Sequence, residues 1–215
     1  MKKINLIIAL VLFITLSAQN SGETRFGVTG NFHRGSIVNV HDESVGRYGG
    51  TLGVLAEIPM LRSDVTGGEW LFFVPMVEYS MQGEVAKADV GRYGRQKFLH
   101  DYIGAQFYVK YFFHPNNNLS DYFVFLGPRV EFLVREDRQV SELYDIDYFK
   151  YNNDDELNKI GIGLSVGAGA RVTDDLEAVI RFDRGFSKVY PNNTNGVTYN
   201  RQLSVGVNYY IRNNR

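Results

Sequence analysis

Apolar residues alternate with glycine and polar residues along 159–186, and this stretch is typical of much of the chain. Its first arm carries an apolar residue at every second position over 162–172, and after a polar break at 173–175 the alternation resumes over 176–182. A period of two predicts strands, and the short break predicts a hairpin. Each arm has one continuous apolar face, as expected for a strand that crosses a bilayer in a closed barrel, although the hairpin alone is also compatible with a soluble β-barrel.

Similar alternation recurs often enough to predict a complete barrel. Eight runs can be marked, at roughly 24–34, 48–58, 70–82, 99–113, 122–134, 160–172, 176–186 and 200–211. The segments between them alternate between long polar stretches (35–47, 83–98, 135–159 and 187–199) and shorter ones (59–69, 114–121 and 173–175). Long loops outside and short turns inside are typical of outer-membrane barrels. The sequence therefore predicts an all-β fold, an eight-stranded antiparallel transmembrane β-barrel (an up-and-down meander) with long extracellular loops.

The N-terminus carries the pattern of a secretory signal. Lys2 and Lys3 precede a mainly apolar stretch at 4–16, and Ser17-Ala18-Gln19 offers a cleavage region. The apolar stretch is too short for a membrane-spanning helix. We therefore expect a signal peptide at 1–18 and an outer-membrane barrel domain at 19–215.

Composition narrows the possible partners and chemistry. The chain contains no cysteine, which excludes disulfides, thiolate nucleophiles and cysteine-bound metals. Without Lys2 and Lys3 it has 21 basic and 24 acidic residues, which argues against nucleic acid as a partner. With 14 Tyr and 15 Phe, it has enough aromatic residues for belts at both membrane interfaces. We expect one belt to contain Trp70, Tyr111, Phe112, Phe113, Tyr122, Phe123, Tyr209 and Tyr210, and the other Tyr48, Tyr79, Phe98, Tyr102, Phe132, Phe186 and Tyr199.

Charged residues also occur on the polar face of the predicted strands, where they would point into the lumen. They are Glu57, Glu78, Lys110, Arg129, Glu131, Arg171, Glu177, Arg181 and Asp183. Because enclosed charges must pair or keep water, we expect a lumen charge network that closes a narrow interior. A hairpin turn centred on Asp174 would place Arg171 opposite Glu177 as an ion pair, and Gly167 opposite Arg181, which could then reach Glu78 or Glu131.

Several later segments resemble a known family. Six segments are similar to strands of the outer-membrane β-barrel proteins of Bacteroidetes that include PorT-like proteins. They are Pro75 to Gly83, Tyr102-Ile103 through Phe112, Gly127-Pro128, the glycines from Gly161 to Gly169, Arg181-Phe182 through Gly185, and Asn200 to Tyr210. Gly104-Ala105 stands where that family has a bulkier pair. The resemblance implies an eight-stranded barrel in the outer membrane and, for some members, a link to protein secretion.

Candidate chemistry outside the lumen is sparse. His100 with a serine such as Ser36, Ser44 or Ser80 could form a rim enzyme acting on lipid or peptide, but no spacing forms a catalytic motif. The acidic loop at 142–156 could hold calcium, although it lacks the EF-hand order. Its aromatic residues Tyr144, Tyr148, Phe149 and Tyr151 are candidates for binding a partner.

These patterns favour a non-enzymatic structural or interaction protein of the bacterial outer membrane. One such role is that of a subunit of an envelope or secretion complex. A rim enzyme and a small pore are the alternatives. We expect no cofactor and no bound metal. The expected partners are outer-membrane lipid and lipopolysaccharide, together with other envelope proteins.

Overall fold

A computed structural model describes residues 23–39, 44–64, 67–86, 96–113, 121–139, 156–193 and 196–211. These residues form eight strands: β1 (Arg25–Val38), β2 (Ser44–Arg62), β3 (Glu69–Ala86), β4 (Gln96–Phe112), β5 (Tyr122–Gln139), β6 (Ile160–Thr173), β7 (Leu176–Gly185) and β8 (Tyr199–Tyr210). Each strand pairs with the next in antiparallel fashion, and β8 closes the sheet onto β1. The predicted eight-stranded barrel is confirmed. Within the described part of the chain, no helix is long and apolar enough to span a membrane.

Some predicted segments lie outside the described residues. They are the signal at 1–18 and the loop aromatic residues Tyr144, Tyr148, Phe149 and Tyr151.

The two faces of the barrel wall follow the predicted alternation. In β2, for example, Leu52 and Val54 are exposed on the outside, whereas Thr51, Leu55 and Glu57 are buried inside. The same parity holds in the other strands, so that rows of Val, Ile, Leu and Phe cover the outer surface. Exposed apolar rows of this extent suit contact with lipid rather than water.

Several strands are longer than the alternation predicted, chiefly at one end of the barrel. The expected loop at 35–47 is mostly strand, because β1 continues to Val38 and β2 begins at Ser44. The connections at this end cover 39–43, 87–95, 140–159 and 186–198, while those at the other cover 63–68, 113–121 and 174–175. We call these the outer and the periplasmic end, since longer connections mark the outside of such barrels.

Aromatic and aliphatic side chains occupy much of the periplasmic half of the interior, where a polar lumen was expected. The buried cluster consists of Leu55, Phe72, Val74, Met76, Tyr108, Phe112, Phe123, Phe125 and Tyr210. Phe112, Phe123 and Tyr210 were expected in a lipid-facing belt, and this was wrong because their parity points them inward. Phe98 and Tyr102, assigned to the other belt, are likewise buried inside.

Glycines of β6 make room for this aromatic core. Phe125 pairs with Gly167 and Phe123 with Gly169 across the β5–β6 ladder. A Cβ atom at Gly167 would lie 2.2 Å from the ring of Phe125, and one at Gly169 would lie 2.3 Å from the ring of Phe123. The inward glycines of β6 thus let two phenylalanine rings cover the neighbouring strand, an arrangement that also fixes strand register.

Candidate functional site

The structure places the predicted lumen charges inside the barrel wall. Eight of the nine are no more than 3% exposed: Glu57, Glu78, Lys110, Arg129, Glu131, Glu177, Arg181 and Asp183. The ninth, Arg171, is partly exposed at the periplasmic end. The eight buried groups fall into two clusters at different heights. We refer to Glu57, Lys110 and Glu177, with Arg25 and Tyr210, as the lower cluster, and to Glu78, Arg129, Glu131, Arg181 and Asp183 as the upper cluster.

Lys110 holds the lower cluster together. Its ammonium group, from β4, donates to the carboxylates of Glu57 on β2 and Glu177 on β7. It also lies 4.1 Å from the centre of the Phe123 ring, a cation–π contact with the aromatic core. One lysine thus links two strands on different sides of the barrel, and its charge is shared by two buried carboxylates.

Arg25 and Tyr210 complete the lower cluster, although neither belonged to the predicted network. Arg25 donates to Glu57. The Tyr210 oxygen lies 3.1 Å from Glu57 Oε2 and 3.0 Å from Glu177 Oε2. Two cations and two carboxylates leave this cluster without net charge. Strand parity puts Arg25 on the same inward face as Thr29, and this signal in the sequence would have identified Arg25 as a member of the charge network.

Arg181 crosses the lumen in the upper cluster, as the sequence predicted. Its Nη2 lies 2.8 Å from Glu78 Oε1 and its Nη1 lies 3.0 Å from Glu78 Oε2, a bidentate pair between β7 and β3. These strands are four apart in a ring of eight, so the pair spans the barrel. Arg181 Nε also donates to Asp183 Oδ2 at 3.0 Å. A single guanidinium therefore forms ion pairs with two carboxylates.

Arg129 extends the upper cluster towards the outer end. It bonds Asp183 Oδ2 at 3.0 Å and Glu131 Oε2 at 2.9 Å. Gln82 adds a further hydrogen bond to Glu131 at 2.8 Å. The upper cluster thus contains two guanidinium groups and three carboxylates, an excess of one negative charge.

The expected ion pair between Arg171 and Glu177 was wrong, although their register was correct. The two residues are opposite each other in the β6–β7 ladder, as are Gly167 and Arg181. Arg171 instead pairs with Asp121, with 3.6 Å between Nη1 and Oδ2, while Glu177 binds Lys110. Glu177 turns towards the lumen centre, where a buried cation compensates it better than the partly exposed Arg171 could.

The space between the clusters is small. A cavity of about 20 Å³ lies among side chains that include Thr29, Asn31, Lys110, Arg181 and Asn208. That volume holds about one water molecule. Lys110 of the lower cluster and Arg181 of the upper cluster line this cavity, together with aromatic rings of the core.

The outer mouth is covered by residues of the long connections. Leu157, Val189 and Tyr190 are buried and form an apolar cluster with Ile37 of β1. The His100 imidazole lies beneath this cover, 6.2 Å from the Tyr190 ring and 2% exposed. It makes no hydrogen bond to a serine among the described residues. The structure therefore places His100 in an enclosed position, whereas a rim enzyme would need it open to substrate.

A match to a protein family agrees with this architecture. The family described as "Outer membrane protein beta-barrel domain" matches residues 17–190. A search of curated proteins found no match. Among solved structures, Neisserial surface protein A has a TM-score of 0.46 and 18% identity over 87% of this chain and 97% of its own. Ail of Yersinia pestis, crystallised with the heparin analogue sucrose octasulfate, has a TM-score of 0.46 and 6% identity over 88% of this chain and 100% of its own. The N-terminal barrel of Pseudomonas aeruginosa OprF has a TM-score of 0.36 and 10% identity over 87% and 100%.

Proposed function

The chain belongs to the outer membrane protein beta-barrel domain family, and from that premise we propose that it is a closed, non-enzymatic barrel that acts as a structural or interaction protein. It is located in the bacterial outer membrane. The barrel anchors the protein, and the outer surface and extracellular connections contact its partners. Membership of an envelope or secretion complex is the finer form of this proposal, supported by the resemblance of its strands to PorT-like proteins.

The observation that carries the proposal is the filled interior. The bidentate pair of Arg181 and Glu78 crosses the lumen, and the aromatic core lies on its periplasmic side. An ion would have to break this pair and enter a cavity of about 20 Å³ that Lys110 also lines. Leaving one charge of a buried ion pair uncompensated costs about 3–5 kcal/mol. We therefore expect the barrel wall and loops, rather than the lumen, to carry the function.

Planar-bilayer recording tests whether the barrel is closed. The refolded full chain, inserted into bilayers at neutral pH, is expected to give no steady conductance, because the Arg181–Glu78 pair crosses the lumen and the aromatic core lies below it. A general porin inserted into the same bilayers serves as the positive control. A stable open channel would contradict the proposal and favour the pore alternative.

Co-purification from native membranes tests the interaction role. We predict that replacing Tyr144, Tyr148, Phe149 and Tyr151 together by alanine abolishes recovery of envelope proteins with the barrel, because aromatic residues supply much of the energy of protein interfaces. Alanine at Asn152 and Asn153 in the same loop is the matched control. If both variants recovered the same proteins as the unmodified chain, the partner would not bind through these aromatic residues.

A further inference from the structure

Three arginines on the outside of the barrel face the membrane side rather than the lumen. Arg34 on β1, Arg201 on β8 and Arg184 on β7 are all exposed, and these three strands are adjacent. Arg201 lies directly opposite Arg184 in the β7–β8 ladder. Arg34 is opposite Leu203, two positions along the strand from Arg201, which makes the two arginines diagonal neighbours. The three side chains therefore form one row around the outer end of the wall, which we call the arginine row.

No carboxylate among the described residues lies within ion-pair distance of the arginine row. Like charges directly opposite on neighbouring strands are destabilising, so the Arg184–Arg201 pair lacks a structural explanation. Elsewhere near the outer end, Arg135 is paired with Asp101 and Asp137. A polar rim does not explain why three arginines without a carboxylate partner among the described residues lie in one sector of the wall.

The arginine row lies at the level of exposed aromatic residues. Arg34 is opposite Tyr48 in the β1–β2 ladder, and the guanidinium carbon lies 5.8 Å from the centre of that ring. The guanidinium carbon of Arg184 lies 5.0 Å from the centre of the Tyr199 ring. Tyrosines of membrane proteins concentrate at the height of lipid headgroups. Stacking on these rings orients the guanidinium groups and leaves their N–H donors available.

A groove on the outer wall joins the arginine row to the apolar surface below it. The groove has a volume of about 560 Å³ and is lined by Arg34, Ser36 and Arg201 together with Phe182 and Leu203. Gly46 of β2 lets the Arg34 side chain lie against the wall, since a Cβ atom there would be 3.0 Å from Arg34 Nε. The groove thus offers cationic donors at headgroup height and apolar side chains deeper in the membrane.

We propose that the arginine row binds the phosphate of an outer-leaflet glycolipid, with lipid A as its occupant. Guanidinium groups match phosphate oxygens in bidentate geometry, and a phosphate would remove the repulsion between Arg184 and Arg201. Phe182 and Leu203 would contact the acyl chains. This site lies outside the lumen and goes beyond the proposed anchoring role.

The test measures lipid A binding to the full chain refolded in detergent, by native mass spectrometry over a lipid titration. The unmodified chain is expected to bind lipid A more tightly than lipid A whose phosphates have been removed. The triple variant Arg34→Gln, Arg184→Gln and Arg201→Gln is expected to bind lipid A at least about tenfold more weakly, because about tenfold is the loss for one charge-assisted hydrogen bond. The matched control Arg62→Gln, Lys97→Gln and Lys159→Gln removes the same charge elsewhere and should keep the affinity.

A second variant tests the same site with a single change on the outer wall. Ser36 lies directly opposite Arg201, so Ser36→Asp places a carboxylate beside the arginine row. It should raise the resistance of the barrel to urea and weaken lipid A binding. The proposal is overturned if the triple variant or Ser36→Asp binds lipid A as the unmodified chain does. Equal binding of dephosphorylated lipid, or equal loss in the control variant, would also overturn it.

Discussion

Removing Arg181 should destabilise the barrel more than removing its partner Glu78. Arg181→Met leaves three buried carboxylates with only Arg129 as a cation. Glu78→Gln leaves two carboxylates and two guanidinium groups, and Arg181 keeps its bond to Asp183. Leaving buried charges uncompensated costs about 3–5 kcal/mol, so we expect a loss of that size for Arg181→Met. For Glu78→Gln we expect a loss of about 1 kcal/mol or less, close to the net value of one hydrogen bond.

The double variant distinguishes charge compensation from packing. Adding Glu78→Gln to Arg181→Met removes one of the uncompensated carboxylates and should restore about 2 kcal/mol. If Arg181 acted only by filling space, the two losses would add. The Arg135→Met control, at an exposed ion pair, should change the free energy of unfolding by less than about 1 kcal/mol.

Urea titrations in phosphatidylcholine vesicles measure these differences. Trp70, the single tryptophan, contacts the Tyr111 ring at the periplasmic end and reports unfolding by its fluorescence. Equal urea dependence in all variants would show that they unfold to the same extent. If Arg181→Met cost no more than Glu78→Gln, or the double variant were the least stable, then water would be screening these charges and the description of a dry, filled lumen would be refuted.

Two further predictions concern the wall. Gly167→Ala should lower the free energy of unfolding by about 1–3 kcal/mol, because its Cβ atom would overlap the Phe125 ring. Gly30→Ala is the control and should be tolerated, because no atom lies within 4 Å of the added Cβ. Equal losses for the two variants in the same urea titration would contradict the described packing of the Phe125 ring. Val205→Arg on the lipid side should cost about 2–4 kcal/mol in vesicles and Val205→Leu almost nothing, so a tolerated arginine there would mean that Val205 does not face the bilayer interior.

The sequence predicted the strands and their faces because alternation is a local property. The side on which a residue such as Leu52 lies can be predicted from the contrast with its immediate neighbours, Thr51 and Gly53. The prediction failed where both faces are polar, as at 35–47, since a strand that rises beyond the membrane has no apolar row to mark it. It also failed for Phe112, since the run Tyr111-Phe112-Phe113 supplies aromatic residues to both faces and composition alone suggested a belt.

The charge partners could be predicted only in part, because they depend on the closed barrel. Ladder register placed Arg171 beside Glu177, but Lys110 approaches Glu177 from three strands away. A long side chain can reach several groups around a narrow lumen, and a carboxylate pairs with the cation that is most deeply buried. Arg181 was expected to reach Glu78 or Glu131, and it binds Glu78. Parity alone pointed its side chain into the lumen, but the choice between the two carboxylates depends on the closed barrel.

The requirement to fold explains the position of the arginines inside the barrel, but it does not explain the arginine row on the outside. An uncompensated charge inside the wall costs several kcal/mol, so the pairing of Arg129 and Arg181 follows from the requirement to fold. An exposed arginine can stay hydrated at the membrane surface, so folding does not require a partner for Arg34 or Arg201. Their clustering on adjacent strands raises repulsion that a distribution around the barrel would avoid. A feature that folding does not need, and that costs stability, is best explained by a ligand, which is why the outer wall and not the lumen carries the strongest evidence of a binding site.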